Sequence, residues 1–323
     1  MSKRSDFGFF KNFELISLST SLPSGYSLVG YGSVLSVVNP VFFASHQYYN
    51  IMLGNTIYSF APSAAGKKYS VDTGTETATA SSPIATAAVV CDGTNIFVRA
   101  VGSTALYRYN VAANTYTSLT ASTNAFGNAT YMPSMAYDGS GKIYCLFGLA
   151  DGGVSHREVQ VYNISGADWA STFAVGTSGN KYCGQPYVDS GYLYTYSGRI
   201  TLSSNAWNTT ISDYGQNRTA APQAYKYGTY GYIMLGCNPT ASSTTNLSPA
   251  AVSLGGETAY GISVPFPPIM GSLQVFSAPI PLQLNMTPIS KYGGWSDGDS
   301  IYGLSYPSKQ LLRLNLYKVI MRS

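Results

Sequence analysis

Charge is scarce in this chain. Of its 323 residues, 18 are Lys or Arg and 14 are Asp or Glu, 10% in all, with a net charge of +4. So thin and dispersed a basic complement excludes the basic stripe with interleaved aromatics that a nucleic-acid surface needs. Histidine is scarcer still, with only His46 and His156, so a copper centre of the radical-oxidase kind would need both to converge on one face. The four cysteines, Cys91, Cys145, Cys183 and Cys237, stand far apart, which excludes the close paired spacing of a zinc site; Cys91, Cys145 and Cys183 read as small buried hydrophobes, with a disulfide between neighbouring blades as the lesser reading. Sustained helical periodicity is missing. The longest charge-free stretch, 261–286, is broken by Pro265, Pro267, Pro268, Pro279 and Pro281 and cannot form a transmembrane helix. The opening Met1-Ser-Lys-Arg-Ser-Asp has no apolar core or cleavage site after it, so the expectation is synthesis in a cytoplasm without a signal peptide.

What the chain has is repetition. A short apolar run, a Gly-containing turn, a second apolar run and a Gly recur as Ala88–Val98 with Gly102, as Met135–Gly148 and as Pro186–Gly198, with looser copies at Val41–Gly54, Ala224–Gly236 and Gly294–Leu304. Measured on Gln47, Asp92, Asp138, Asp189, Gly228 and Asp297, the step is about 40 to 50 residues, the length of a four-stranded propeller blade. One interval, from Gly228 to Asp297, is overlong. In the second half of two copies, Asn110 and Asn163 each precede an aromatic, Tyr116 or Trp169, across a polar turn. There the Asn caps the turn or takes a left-handed backbone, and the aromatic opens the return strand.

The segments Tyr109-Asn110…Tyr116 and Tyr162-Asn163…Trp169 resemble the Tyr-Asp…Trp spacing of the kelch-type β-propeller family, and Ile143-Tyr-Cys-Leu-Phe-Gly148 is similar to that family's second strand. The resemblance covers roughly residues 40 to 320; a single Gly at 54, 102, 148, 198 and 236 stands where the family has a doublet. It implies an all-β chain of one domain, 1–323, with six four-stranded blades. Residues 1–30 are then an N-terminal arm and closing strand, 41–323 the repeated blades and 261–286 a Pro-rich insertion. Because an open ring would expose sheet edges, the strand at Phe13–Ser19 is expected to share a blade with the one at Gln310–Ile320.

No constellation in the sequence asks for catalysis or a cofactor. There is no phosphate loop before a helix and no Gly-x-Ser-x-Gly elbow. A glycosidase needs two carboxylates at a set separation, and Asp92, Asp138, Asp189, Asp297 and Asp299 occupy turns, where Asp has an ordinary conformational role. The expectation is therefore a non-enzymatic structural protein without cofactor or metal. A surface of Ser, Thr, Asn, Gly and Tyr on a propeller resembles bacteriophage tail or capsid-associated proteins, whose partners are other virion proteins or further copies. The candidate partner contacts are Phe7, Phe9, Phe10, Phe266, Pro267, Pro268, Ile269 and Met270, which put apolar residues where the blade pattern needs none. The alternative is a module binding a surface glycan or receptor, with Tyr192, Tyr194, Tyr230 and Tyr232 as stacking platforms. A propeller enzyme such as a glycosidase ranks third.

Overall fold

The computed structural model describes residues 13–17, 20–39, 50–61, 63–100, 102–125, 134–146, 158–170, 173–174, 186–189, 191–195, 198–208, 223–227, 230–234, 250–253, 259–261, 274–276, 286–288, 290–291, 300–305 and 310–323. These residues contain strands and turns and no helix, so none long and apolar enough to cross a membrane. The fold is all-β, as the composition predicts.

Five four-stranded antiparallel units follow one another along the chain. The first holds Asn50–Leu53, Thr56–Ser59, Ala65–Ser70 and Glu76–Ser81, with Ser290–Lys291 added in parallel beside its first strand. The second holds Thr86–Cys91, Asn95–Ala100, Leu106–Asn110 and Thr115–Ser118. The third holds Ser134–Tyr137, Lys142–Leu146, Glu158–Asn163 and Asp168–Trp169, with Phe173–Ala174 added beside its third strand. The fourth holds Tyr187–Asp189, Tyr192–Thr195, Gly198–Thr201 and Ala206–Asn208. The fifth holds Gln223–Tyr227, Tyr230–Met234, Ala250–Ser253 and Ala259–Gly261.

The sixth sheet is made from both ends. Leu311–Arg322 lies between Tyr26–Asn39 along one edge and, along the other, Ser300–Ser305 followed by Phe13–Ser17. The expected sharing of a sheet by the chain ends is what the register gives: Phe13 lies opposite Met321 and Ser17 opposite Tyr317. The N-terminal contribution runs further than residue 30, because Tyr26–Asn39 pairs along its whole length. The interval 261–286, read from sequence as an inserted arm, also supplies Gln274–Phe276, which pairs with Tyr31–Ser33. Alternating apolar residues in that segment are satisfied by an open sheet edge, which prolines on either side do not prevent.

Side-chain alternation decides how the sheets pack. In the second sheet Val89, Cys91, Ile96, Val98 and Tyr109 face the first sheet's Ile51, Tyr58 and Phe60. Its other face, Ala88, Val90, Phe97 and Leu106, meets Met135, Ile143, Cys145 and Tyr162 of the third. The third sheet's opposite face, Ala136, Tyr144, Leu146, Val159 and Val161, meets Leu193 and Ile200 of the fourth. The first sheet's outer face, Met52, Ile57 and Tyr69, meets Leu311 of the terminal sheet. Both faces of a sheet are thus buried, which is why the strands read as near-continuous apolar runs such as Asn95–Ala100. The first strands of the first four sheets stand side by side in chain order.

One repeat is displaced from its sequence reading. The first hairpin turns at Gly54-Asn55, between Asn50–Leu53 and Thr56–Ser59, rather than at Gln47. Ile51-Met52-Leu53 is therefore a first strand, where its likeness to Ile143-Tyr144-Cys145 suggests a second one. Period-2 apolar runs on the two arms of a hairpin look alike, so only pairing separates them.

Candidate functional site

The two ends of the sheets differ in chemistry. At one end the hairpins are tight and capped by their own side chains. The Asp92 carboxylate accepts from the Thr94 and Asn95 amides at 2.8 and 2.6 Å, and Asp138 accepts from the Ser140 and Lys142 amides at 2.8 and 2.9 Å. These two aspartates are turn residues, as the sequence predicts. The turns between third and fourth strands lie at this end too. Asn110 caps one of them, its Oδ1 accepting from the Ala113 amide at 2.9 Å. The left-handed backbone falls four residues later, at Asn114, and in the neighbouring sheets at Ala167 and Asn205, with φ of 54°, 51° and 56°. Of the two roles expected for Asn110, only the cap is filled. The aromatic pairs form as expected: Tyr109 opposes Tyr116 with ring centroids 5.0 Å apart, and Tyr162 opposes Trp169 at 5.2 Å.

The other end gathers the buried polar groups: Asn50, Ser59, Ser82, Thr86, Arg99, Ser122, Ser134 and Gln160. They sit where first strands begin (Asn50, Thr86, Ser134), where second strands end (Ser59, Arg99), near the start of a third strand (Gln160) or just after a fourth strand (Ser82, Ser122).

Arg99 is the centre of this end. It is fully buried between the second and third sheets. Its Nη2 donates to the Ser122 hydroxyl, to the Asn124 carbonyl at 3.1 Å and to Gln160 Oε1 at 2.9 Å, and its guanidinium lies 4.8 Å from the centroid of the Trp169 ring. Gln160 Nε2 donates back to the Asn124 carbonyl at 3.2 Å, and Asn124 Nδ2 donates to Glu158 Oε2 at 2.6 Å. The Trp169 indole donates to the Thr120 carbonyl at 2.8 Å, and the Thr120 hydroxyl donates to the Ala167 carbonyl at 2.7 Å. The segment 119–125 is thereby strapped to the third sheet at both its ends. Burial raises the Cys145 thiol above its ordinary value, with Arg99 acting the other way. A planar guanidinium suits this position because one group serves several acceptors and an aromatic face together. Nothing in the sequence around Ile96-Phe-Val-Arg-Ala100 marks Arg99 as buried. A lone cation in an otherwise apolar strand was the available signal.

The stacking tyrosines fall in two places. Tyr192 is half-buried in the second strand of the fourth sheet and lies opposite Asp189 and Thr201. Tyr194 lies opposite Tyr187, while Tyr230 and Tyr232 lie opposite Tyr227 and Tyr225 in the fifth sheet. All four belong to second strands of sheets rather than to loops. The first pair and the second pair stand in different sheets. Phe7, Phe9, Phe10, Phe266, Pro267, Pro268, Ile269 and Met270, together with His46, His156, Cys183, Cys237, Asp297 and Asp299, lie outside the described residues.

No family model matches the chain, and no curated protein matches it. Among solved structures it is similar to a structural-genomics protein of unknown function from Bacteroides thetaiotaomicron VPI-5482, with a TM-score of 0.55 and 13% identity over 88% of this chain and 76% of that one. At that identity the likeness speaks for a shared all-β architecture.

Proposed function

We propose that this chain is a kelch-like β-propeller of six four-stranded blades, closed by its own two ends, and that it works as a non-enzymatic docking scaffold in a virus particle. The observation that carries the reading is the relay of apolar clusters from the terminal sheet through the first, second, third and fourth sheets. Sheets stacked face to face in chain order, with first strands side by side, fit radial blades around an axis. Interleaving the N- and C-terminal strands removes the open edges such a ring would otherwise present.

A scaffold role is supported by how the polar groups are spent. Arg99 Nη2 bonds to Ser122, Gln160 and Asn124 across the seam between two sheets, and Asp92 and Asp138 cap turns. The low charge and the high Tyr content suit a subunit whose surface is largely covered by neighbours. The apolar segments at Phe7–Phe10 and Phe266–Met270 are the parts left to engage partners.

The test is incorporation into particles. A chain carrying Phe9→Ser, Phe10→Ser, Ile269→Ser and Met270→Ser is expected to keep its thermal unfolding midpoint while its incorporation falls at least tenfold. Full incorporation of that folded variant would sink the scaffold reading, and electron-microscopy averages without a ring would sink the propeller.

A further inference from the structure

The terminal sheet differs from the others in where its strands come from. Phe13–Ser17 pairs with Leu311–Arg322, and Tyr26–Asn39 pairs with Leu311–Arg322 along one edge and with Gln274–Phe276 along the other. The strand pairings described for residues 13–39 are thus all with segments from the far end of the chain. Side chains repeat the pattern. The Lys318 ammonium donates to the Thr20 carbonyl at 2.7 Å across 298 residues, and the Ser27 and Ser323 hydroxyls lie 2.7 Å apart across 296. Among the described residues this N-terminal unit pairs no strand with the first sheet, which begins at Asn50.

Chain order makes this consequential. The first to fourth sheets form from local hairpins, which close quickly, whereas pairing across nearly the whole chain is slow. Tyr26–Asn39 is made early and waits for a partner made late. It contains neither a charge nor a proline, the devices that ordinarily keep an unpaired strand from a foreign one. The strand it waits for buries Leu312, Leu314, Leu316, Val319 and Ile320, so the gain from pairing is large. That strand is the same in every copy, and a neighbouring chain offers it in the identical register. Within one chain the two segments meet at an effective concentration on the order of millimolar, so at about 100 µM protein a pairing between copies wins about one time in ten.

We infer that copies folding side by side exchange residues 13–39, each N-terminal unit completing the other copy's terminal sheet. Exchanging an identical element gives a reciprocal dimer without any new contact surface, and repeat architectures are prone to it. The inference uses only the pairing of the terminal strands and stands whether or not the sheets close into a ring.

Co-refolding two full-length variants tests it. Ser27 and Met321 are exposed and lie directly opposite each other, so Ser27→Cys on one chain and Met321→Cys on another can form a disulfide only when the strands are exchanged. The linked dimer is expected in about one chain in ten at about 100 µM and in about one in a hundred at about 10 µM. It should require both variants, and already folded variants mixed at the same concentrations should give none. The unmodified chain, refolded at the higher concentration and then diluted, should sediment with the same dimer fraction, because separating the copies means opening both terminal sheets. A wholly monomeric product of that refolding would overturn the inference. So would a dimer that the two cysteines fail to link, or a link that forms equally between folded chains, since neither involves exchange of these strands.

Discussion

Arg99 shows what one buried charge demands of its surroundings. Taking a guanidinium out of water is costly unless hydrogen bonds and a polarisable face replace the solvent; Ser122, Asn124 and Gln160 accept from its Nη2 and Trp169 lends a ring face, from two sheets and the segment between them. Replacing it leaves neutral acceptors buried without their donor and a cavity beside Trp169. Arg99→Ala should therefore lower stability by about 3 kcal/mol, seen as a lower urea midpoint at unchanged slope. Arg99→Lys keeps the charge but not the fork, and is expected to recover less than half of that loss. A midpoint unaffected by Arg99→Ala would mean the seam is held by its apolar side alone. The same residue-level economy appears at Asn114, whose Oδ1 accepts from the Tyr109 hydroxyl and from the Ala80 amide of the first sheet, both at 2.7 Å.

At the scale of elements, the turn chemistry was legible and the strand register was not. Asp92-Gly93 and Asp138-Gly139 announce hairpins because a short carboxylate reaches the amides of its own turn and glycine takes the positive φ that follows. The first hairpin was misplaced because Gln47 and Gly54 both stand beside apolar pairs, and local pattern does not say which pair comes first. The bulge at Ala65/Lys67 was equally hidden. There Gly66 lies so close to the first sheet's second strand that a Cβ would sit 2.1 Å from the Ser59 carbonyl oxygen, while its own amide donates to the Thr79 hydroxyl at 2.9 Å. Gly66→Ala must then push two paired strands apart. We expect a loss of about 2 kcal/mol or more, measured by thermal unfolding, with Gly54→Ala as a comparison that meets no neighbouring atom and pays only for its left-handed backbone.

On the scale of the whole molecule, several buried phenols and a thiol set a common alkaline limit. Burial pushes Tyr109 and Tyr144 up to about 12 from an ordinary 10.0, and Cys91 up to about 12 from 9.0. Tyr116 is raised as well, again by burial first. In the unfolded chain these groups ionise near their ordinary values, while the folded chain holds their protons. Between pH 9 and 12 unfolding therefore releases protons, so stability is complete below pH 9 and declines as pH rises toward 12. Denaturant midpoints should stay level to about pH 9 and then drop, with phenolate absorbance appearing together with the loss of structure. Phenolate absorbance growing at ordinary pKa values in a chain that remains folded would contradict the burial of these rings.

The sequence by itself determined the all-β class, the repeating four-stranded unit, the turn role of Asp92 and Asp138 and the meeting of the two ends, because each follows from local period, turn chemistry or the need to cover sheet edges. Only the tertiary structure decided that both faces of the second and third sheets are buried and that Arg99 centres the polar groups described at one end. Those depend on which strands become neighbours. Partners such as Arg99 and Gln160, or Leu28 and Ile320, are brought together by sheet packing and register across long stretches of chain, and no local pattern specifies them.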